Sequence, residues 1–106
     1  MRIKYSPDAR EKLKYIRKYV GKKVTVTIMN SIRRLSSAPY KCPTVESMLG
    51  ILNPYHFLHI EHYYIFYRVE EDIVFISDIY SEREDFMWKM FGINLRTQES
   101  QEYWGE

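Results

Sequence analysis

The sequence predicts an α+β fold, a helical hairpin at the N-terminus packed on a small twisted antiparallel sheet, in a single domain. Three observations lead there. Two apolar series at helical spacing, Ala9-Leu13-Ile16-Val20 and Val24-Ile28-Ile32-Leu35, fill the first third of the chain. Runs rich in aromatic and β-branched residues then read as strands over 55–61, 63–69 and 73–80. The length of 106 residues suits one core, and 45% hydrophobic with 16% aromatic residues excludes a disordered chain.

Taken in order, Arg2 to Tyr5 alternates polar and apolar residues and is expected to be a short strand at the sheet edge. Ser6-Pro7-Asp8 starts a helix: Ser6 caps, Pro7 suits the first helical position and Asp8 complements the positive dipole end. Gly21 stops that helix. The second series begins in Val24-Thr25-Val26-Thr27-Ile28, which has weak helix propensity and competes as a strand. The apolar face continues through Leu35, so a helix is preferred, ending at Ser36-Ser37-Ala38-Pro39. Residues 39–54, with Pro39, Pro43, Gly50 and Pro54, form a connecting loop. Short turns at Glu61-His62 and Glu70-Glu71-Asp72 make the strands an antiparallel meander. Phe86 to Phe91 reads as a short helix on the sheet. Residues 1–93 make the domain, and 94–106 are a polar acidic tail.

Composition limits the function. No apolar run reaches the roughly 18 residues of a membrane span, and the start lacks the apolar core of a signal peptide. A cytoplasmic protein without a membrane partner is expected. Cys42 is the one cysteine, which rules out an internal disulfide and a cysteine zinc cluster and reads as an ordinary thiol. The net charge of +2 conceals an asymmetry. Residues 1–41 carry 12 Lys+Arg and 2 Asp+Glu, whereas residues 42–106 carry 4 and 12. A basic half facing an anionic partner, RNA or an acidic protein segment, is the functional reading; a solvated helix surface is the plain one.

The order of pieces resembles the RelE/ParE superfamily of bacterial type II toxin–antitoxin toxins. They are a strand into Ser6-Pro7-x-Ala9, a basic helical hairpin, a Pro-closed loop with Leu49-Gly50, Tyr64-Ile65-Phe66-Tyr67-Arg68-Val69-Glu70 and Ile79-Tyr80-Ser81-Glu82-Arg83-Glu84-Asp85. The resemblance covers about residues 1–86. It implies a cognate antitoxin, with an often acidic wrapping segment, as partner. It also implies one of two targets: DNA gyrase for a ParE-like inhibitor, or the ribosome with mRNA for a RelE-like endonuclease. A homologue that only binds antitoxin is the third reading. No cofactor or metal is implied.

Cleavage of RNA through its 2′-hydroxyl needs a base, cations on the phosphate and an acid. Members often place an arginine just before the Ile-Phe-Tyr strand core, where this chain has Tyr64, and basic residues on the preceding strand, where it has His56 and His59. Arg83 matches a retained arginine after the last strand. Some members use a loop glutamate as base, and Glu46 lies in the loop. The candidate site is therefore Arg83, Tyr64, His59, His56 and Glu46, with the missing arginine favouring the gyrase reading. Strand geometry puts His56 and His62 on one face, roughly 20 Å apart, with His59 opposite, which argues against a shared metal. Arg68 is expected to pair with Glu70 or Glu71. The aromatic residues serve either as sheet core or as a stacking surface. The tail is expected either to fray or to fold back over the basic helices, where it would compete with an antitoxin.

Overall fold

A computed structural model describes residues 1–50, 52–84 and Lys89. The elements are β1 (Arg2–Tyr5), α1 (Pro7–Tyr19), α2 (Lys22–Arg34), α3 (Val45–Leu49), β2 (His56–Ile60), β3 (Tyr63–Glu70) and β4 (Ile73–Ser81). The fold class is the one expected. The sheet order is β1-β4-β3-β2. The meander β2-β3-β4 is antiparallel, whereas β1 pairs parallel to β4, so the sheet is mixed. The parallel pairing is possible because the α1–α2 hairpin, the following segment and the β2–β3 hairpin all lie between β1 and β4 in the chain. The helix expected over 86–91 and the 94–106 tail lie outside the described residues.

Ser6 ties the first two elements to the sheet. Its Oγ accepts from the Ala9 amide at 3.0 Å, capping α1, and donates to the Ser77 carbonyl at 2.6 Å. Ala9, Leu13 and Ile16 bury one face of α1, and Thr25, Ile28 and Ile32 bury the matching face of α2. The helix therefore wins over the strand at Val24–Ile28. Its β-branched residues cost a few tenths of a kcal/mol each in propensity, and burial of Ile28 and Ile32 outweighs that. Gly21 joins the helices at φ 146°, a backbone region open essentially to glycine alone.

Two clusters of buried side chains lie on opposite faces of the sheet. Beneath α1 and α2, Ile65, Tyr67, Val74, Ile76 and Ile79 meet the helix residues. On the other face Phe66 and Tyr80 pack with Val45, edged by Leu49, Tyr55, Phe57 and Tyr64. A β-bulge makes this division. Phe66 pairs with Asp78 but Tyr67 pairs with Ile76, leaving Ser77 as the extra residue on β4. The shift reverses the alternation, sending Ile79 to the helices and Tyr80 to the opposite face.

The 39–54 segment is more structured than the loop expected from its prolines. Phe57 donates its amide to Pro43, Val45 to Tyr55, and Thr44 bridges His56, so the segment runs along the outer edge of β2. Thr44 then caps α3, its Oγ1 accepting from Ser47 at 3.1 Å, and Gly50 closes α3 in the left-handed conformation. A five-residue helix leaves no periodic series long enough to recognise in sequence.

Candidate functional site

The β2–β3 turn and the exit from β4 form one end of the sheet. Glu61 and His62 occupy the turn with φ of 51° and 67°. Two left-handed residues give the tight turn that matches strand twist, normally the province of Asn and Gly. The strained turn swings His62 out of the strand direction, and the His62 carbonyl accepts from Glu82 at 2.9 Å. The His62 ring Nδ1 lies 3.3 Å from Oε2 of Glu82. The His59 ring donates through Nε2 to Oε1 of the same carboxylate. Ideal strand geometry placed His59 and His62 on opposite faces; the turn overrides that. The hydrogen bond from His59, with help from His62, holds the Glu82 carboxyl below its ordinary 4.5. The two imidazoles meet opposite oxygens of the carboxylate, and no group of three such residues that could hold a metal ion occurs among the described residues.

Tyr64 stands opposite His59 in the ladder, and their rings stack at 4.5 Å with 9° between planes. Phe57 and Phe66 extend the aromatic surface, with ring centroids 6.1 and 6.4 Å from Tyr64. Among the described residues two cations reach this face, each held by a carboxylate. Arg68 lies over the Phe75 ring at 4.4 Å and pairs with Glu70, as the sequence suggested. Lys12 reaches round from α1 to Asp78 at 2.7 Å and sits 3.5 Å above the Tyr80 ring. Burial and the hydrogen bond to Asp78 raise the Tyr80 pKa, so its hydroxyl stays protonated near neutral pH.

Arg83 and Glu82 both line a cleft of about 510 Å³, shared with Val20, Val24, His62 and Tyr63, at the tip of the helical hairpin. The Arg83 side chain is exposed and makes no ion pair with another described residue. Among the described residues Arg83 pairs with neither neighbouring glutamate: Glu82 binds the two histidines and Glu84 binds Lys89 at 2.9 Å. Burial pushes the Glu84 carboxyl up, but Lys89 and the Ser81 amide bring it below its ordinary value.

The other two candidates do not join this arrangement. His56 lies under the helix side, stacked on Tyr67 at 5.2 Å, with Nδ1 donating to the Cys42 carbonyl at 3.0 Å. Glu46 is exposed in the first turn of α3, and its carboxylate has no hydrogen bond or ion pair among the described residues. The structure thus gathers His59, Tyr64 and the neighbourhood of Arg83, and leaves His56 and Glu46 apart. Sequence reasoning missed Glu82 as the organiser and the Lys12–Asp78–Tyr80 contact. The former had a signal, a carboxylate two residues past β4's Tyr80. The latter joins positions 66 residues apart in sequence through the topology alone.

A two-helix hairpin on a four-stranded mixed sheet, with an aromatic face and a charged exit from the last strand, defines the RelE/ParE class of small toxins. Residues 3–86 match the family model described as ParE toxin of type II toxin–antitoxin system, parDE, and the chain belongs to that family. It is thus the toxin of a type II toxin–antitoxin module, and membership implies a cognate antitoxin. The family does not separate gyrase inhibition from RelE-like activity. No curated protein matches the chain significantly. Among the described residues no helix is long and apolar enough to cross a membrane.

Proposed function

We propose that this toxin is a ParE-like inhibitor of DNA gyrase that acts by binding in the cytoplasm and cuts no RNA. The observation that supports the reading is the occupancy of the His59–Tyr64 face. A nuclease must hold a phosphate and stabilise added negative charge with cations. Here the histidine at that place is bound to Glu82, and the cations reaching the face are bound to Asp78 and Glu70. The stacked aromatics and Arg83 in its cleft suit a protein interface better than a reaction centre, since aromatic residues and arginine dominate such surfaces.

The test pairs two assays on the purified toxin. A gyrase supercoiling reaction should be inhibited, and primer extension on mRNA in a purified translation system should show no new cuts. Ribosome-dependent cuts at A-site codons, with supercoiling intact, would overturn the proposal in favour of the endonuclease. Failure in both assays would leave a homologue that only binds antitoxin.

A further inference from the structure

The cleft that holds Arg83 has three walls from distant parts of the chain. Val20 and Val24 come from the tip of the helical hairpin, Glu61, His62 and Tyr63 from the β2–β3 turn, and Ser81, Glu82 and Arg83 from the exit of β4. Val24 and Tyr63 pack against the main core, while Val20 is 51% exposed, so the hairpin wall is aliphatic and reachable. The other two walls are fastened to each other. The Glu82 amide donates to the His62 carbonyl at 2.9 Å, and the His62 ring meets the Glu82 carboxylate. Within the exit, the Ser81 amide donates to the Glu84 carboxylate at 2.8 Å, the Arg83 amide to the Ser81 hydroxyl at 3.2 Å and the Glu84 amide to the Ser81 carbonyl at 3.0 Å. Every amide from Ser81 to Glu84 therefore has an acceptor, and Arg83 stands on a fixed backbone with its side chain exposed. Glu61 is exposed too, and neither it nor Arg83 has an ion pair among the described residues.

We infer that this cleft recognises a protein segment of gyrase in which an acidic and a basic side chain flank an aliphatic one, an inference that rests on the gyrase reading. Arg83 takes the carboxylate through two parallel N–H donors. Val20 and Val24 take the aliphatic group, and Glu61 takes the base. A volume of about 510 Å³ lies in the range of cavities that hold small ligands, and a few side chains fill it. The fixed backbone under Arg83 lowers the ordering cost of the contact. Charge decides the class of partner. The ionisable lining is two carboxylates, Glu61 and Glu82, against one guanidinium, with His62 bonded to Glu82. A nucleic-acid backbone brings a negative charge with every phosphate and meets a rim that is already in negative excess. A protein segment of mixed charge satisfies both signs at once.

The experiment is biolayer interferometry of the immobilised full-length toxin against purified gyrase holoenzyme and, separately, a short DNA duplex. The parent is compared with Arg83→Glu and Glu61→Lys, and a supercoiling assay runs alongside. Both residues are exposed, and unchanged circular dichroism and melting establish that the variants fold. Arg83→Glu should bind gyrase about 30-fold more weakly and Glu61→Lys about 10-fold more weakly, with supercoiling inhibition falling in parallel. Glu61→Lys separates the two partner classes, because it repels a basic side chain and attracts a phosphate. Tighter binding of Glu61→Lys to gyrase, with tighter binding to the duplex, would overturn the inference and make the cleft a nucleic-acid site. Unchanged gyrase affinity in either folded variant, with the parent bound, would overturn the cleft and leave the gyrase reading standing. A parent that neither binds gyrase nor inhibits supercoiling would overturn that reading and this inference with it.

Discussion

The two faces of the sheet do different work with similar residues. The helix-covered face is packed by aliphatic side chains from two amphipathic helices, and Ile65, Tyr67, Val74 and Ile76 are fully buried there. The opposite face is aromatic and is covered by the five-residue α3 among the described residues, with Phe66 and Tyr80 buried at its centre and Phe57, His59 and Tyr64 towards its rim. On the first face a polar group is an exception that needs a specific partner: the Tyr67 hydroxyl donates to the Pro39 carbonyl at 2.9 Å. On the second, charges among the described residues meet as pairs: Lys12 with Asp78, Arg68 with Glu70 and His59 with Glu82. The lesson is that burial alone maintains the first face, whereas the second holds aromatic surface partly exposed in front of neutralised charges, the composition of a binding surface.

The comparison breaks most visibly at the centre of the first face. Ile76→Ala removes a fully buried side chain where the helices and the sheet leave no room to relax. The expected loss is about 3–4 kcal/mol, within the range for such truncations and a large share of the 5–15 kcal/mol that holds a small domain. Urea unfolding followed by circular dichroism measures it. A loss below about 1 kcal/mol would mean that this face is not the main source of stability.

Tyr64→Ala and Arg83→Ala should separate function from folding. Tyr64 is half-buried, so truncation should cost about 1–2 kcal/mol, less than in the core. Arg83 is exposed, and its removal should change stability by under about 0.5 kcal/mol. Both variants should lose most growth inhibition while remaining folded. A soluble Arg83→Ala protein with full toxicity removes Arg83 from the target surface.

What was legible in the sequence follows the same division. The helix-covered face was readable because Ala9, Leu13, Ile16, Ile28, Ile32 and Leu35 recur at helical spacing, and that periodicity is dictated by burial on one side. The strands were readable within a residue or two because β-branched and aromatic residues cluster between charged turns. The bulge was not recognised, although Ser77-Asp78 interrupts the apolar alternation of β4, since a polar pair there also fits an ordinary half-exposed strand. The site was legible only in part. His59 and Tyr64 were placed on neighbouring strands, but their stacking depends on register, which the turn geometry sets. His62 was misplaced because ideal strand geometry does not include a left-handed two-residue turn. His56 was grouped with His59 by residue type, although the spacing of three had already placed them on opposite faces.

A smaller effect is expected where the two faces meet at the edge of β4. Beyond Ile76 that edge has no β1 partner. Side chains block it instead: Asp78 accepts from the Ile79 amide at 2.8 Å and Glu84 from the Ser81 amide at 2.8 Å. Such blocking protects an open edge from pairing with another chain. Lys12 neutralises Asp78, which is 16% exposed, and covers Tyr80. Lys12→Met keeps the stem and leaves the carboxylate unpaired, so a loss of about 1–2 kcal/mol is expected. A double-mutant cycle with Asp78→Asn should show a coupling of about 1 kcal/mol; additive losses would mean that the pair contributes nothing of its own.

The smallest effect belongs to Glu82, and its pH dependence identifies it. His59 and His62 hold its carboxyl below the ordinary value, so the folded protein binds that proton less readily than the unfolded chain does. The unfolded state therefore takes up more protons as the pH falls through the carboxylate range, and stability drops with it. The contribution of Glu82 is fully present above the unfolded pKa and disappears as the pH falls through the depressed folded one. Glu82→Gln should melt slightly below the parent at pH 6–7, and the two melting curves should converge towards pH 3. A difference that stays constant from pH 7 to pH 3 would assign the effect to lost packing and not to the shared carboxylate. The charge pairs of the second face would then owe their place to shape, and the neutralisation that argues against a nuclease would lose its energetic support.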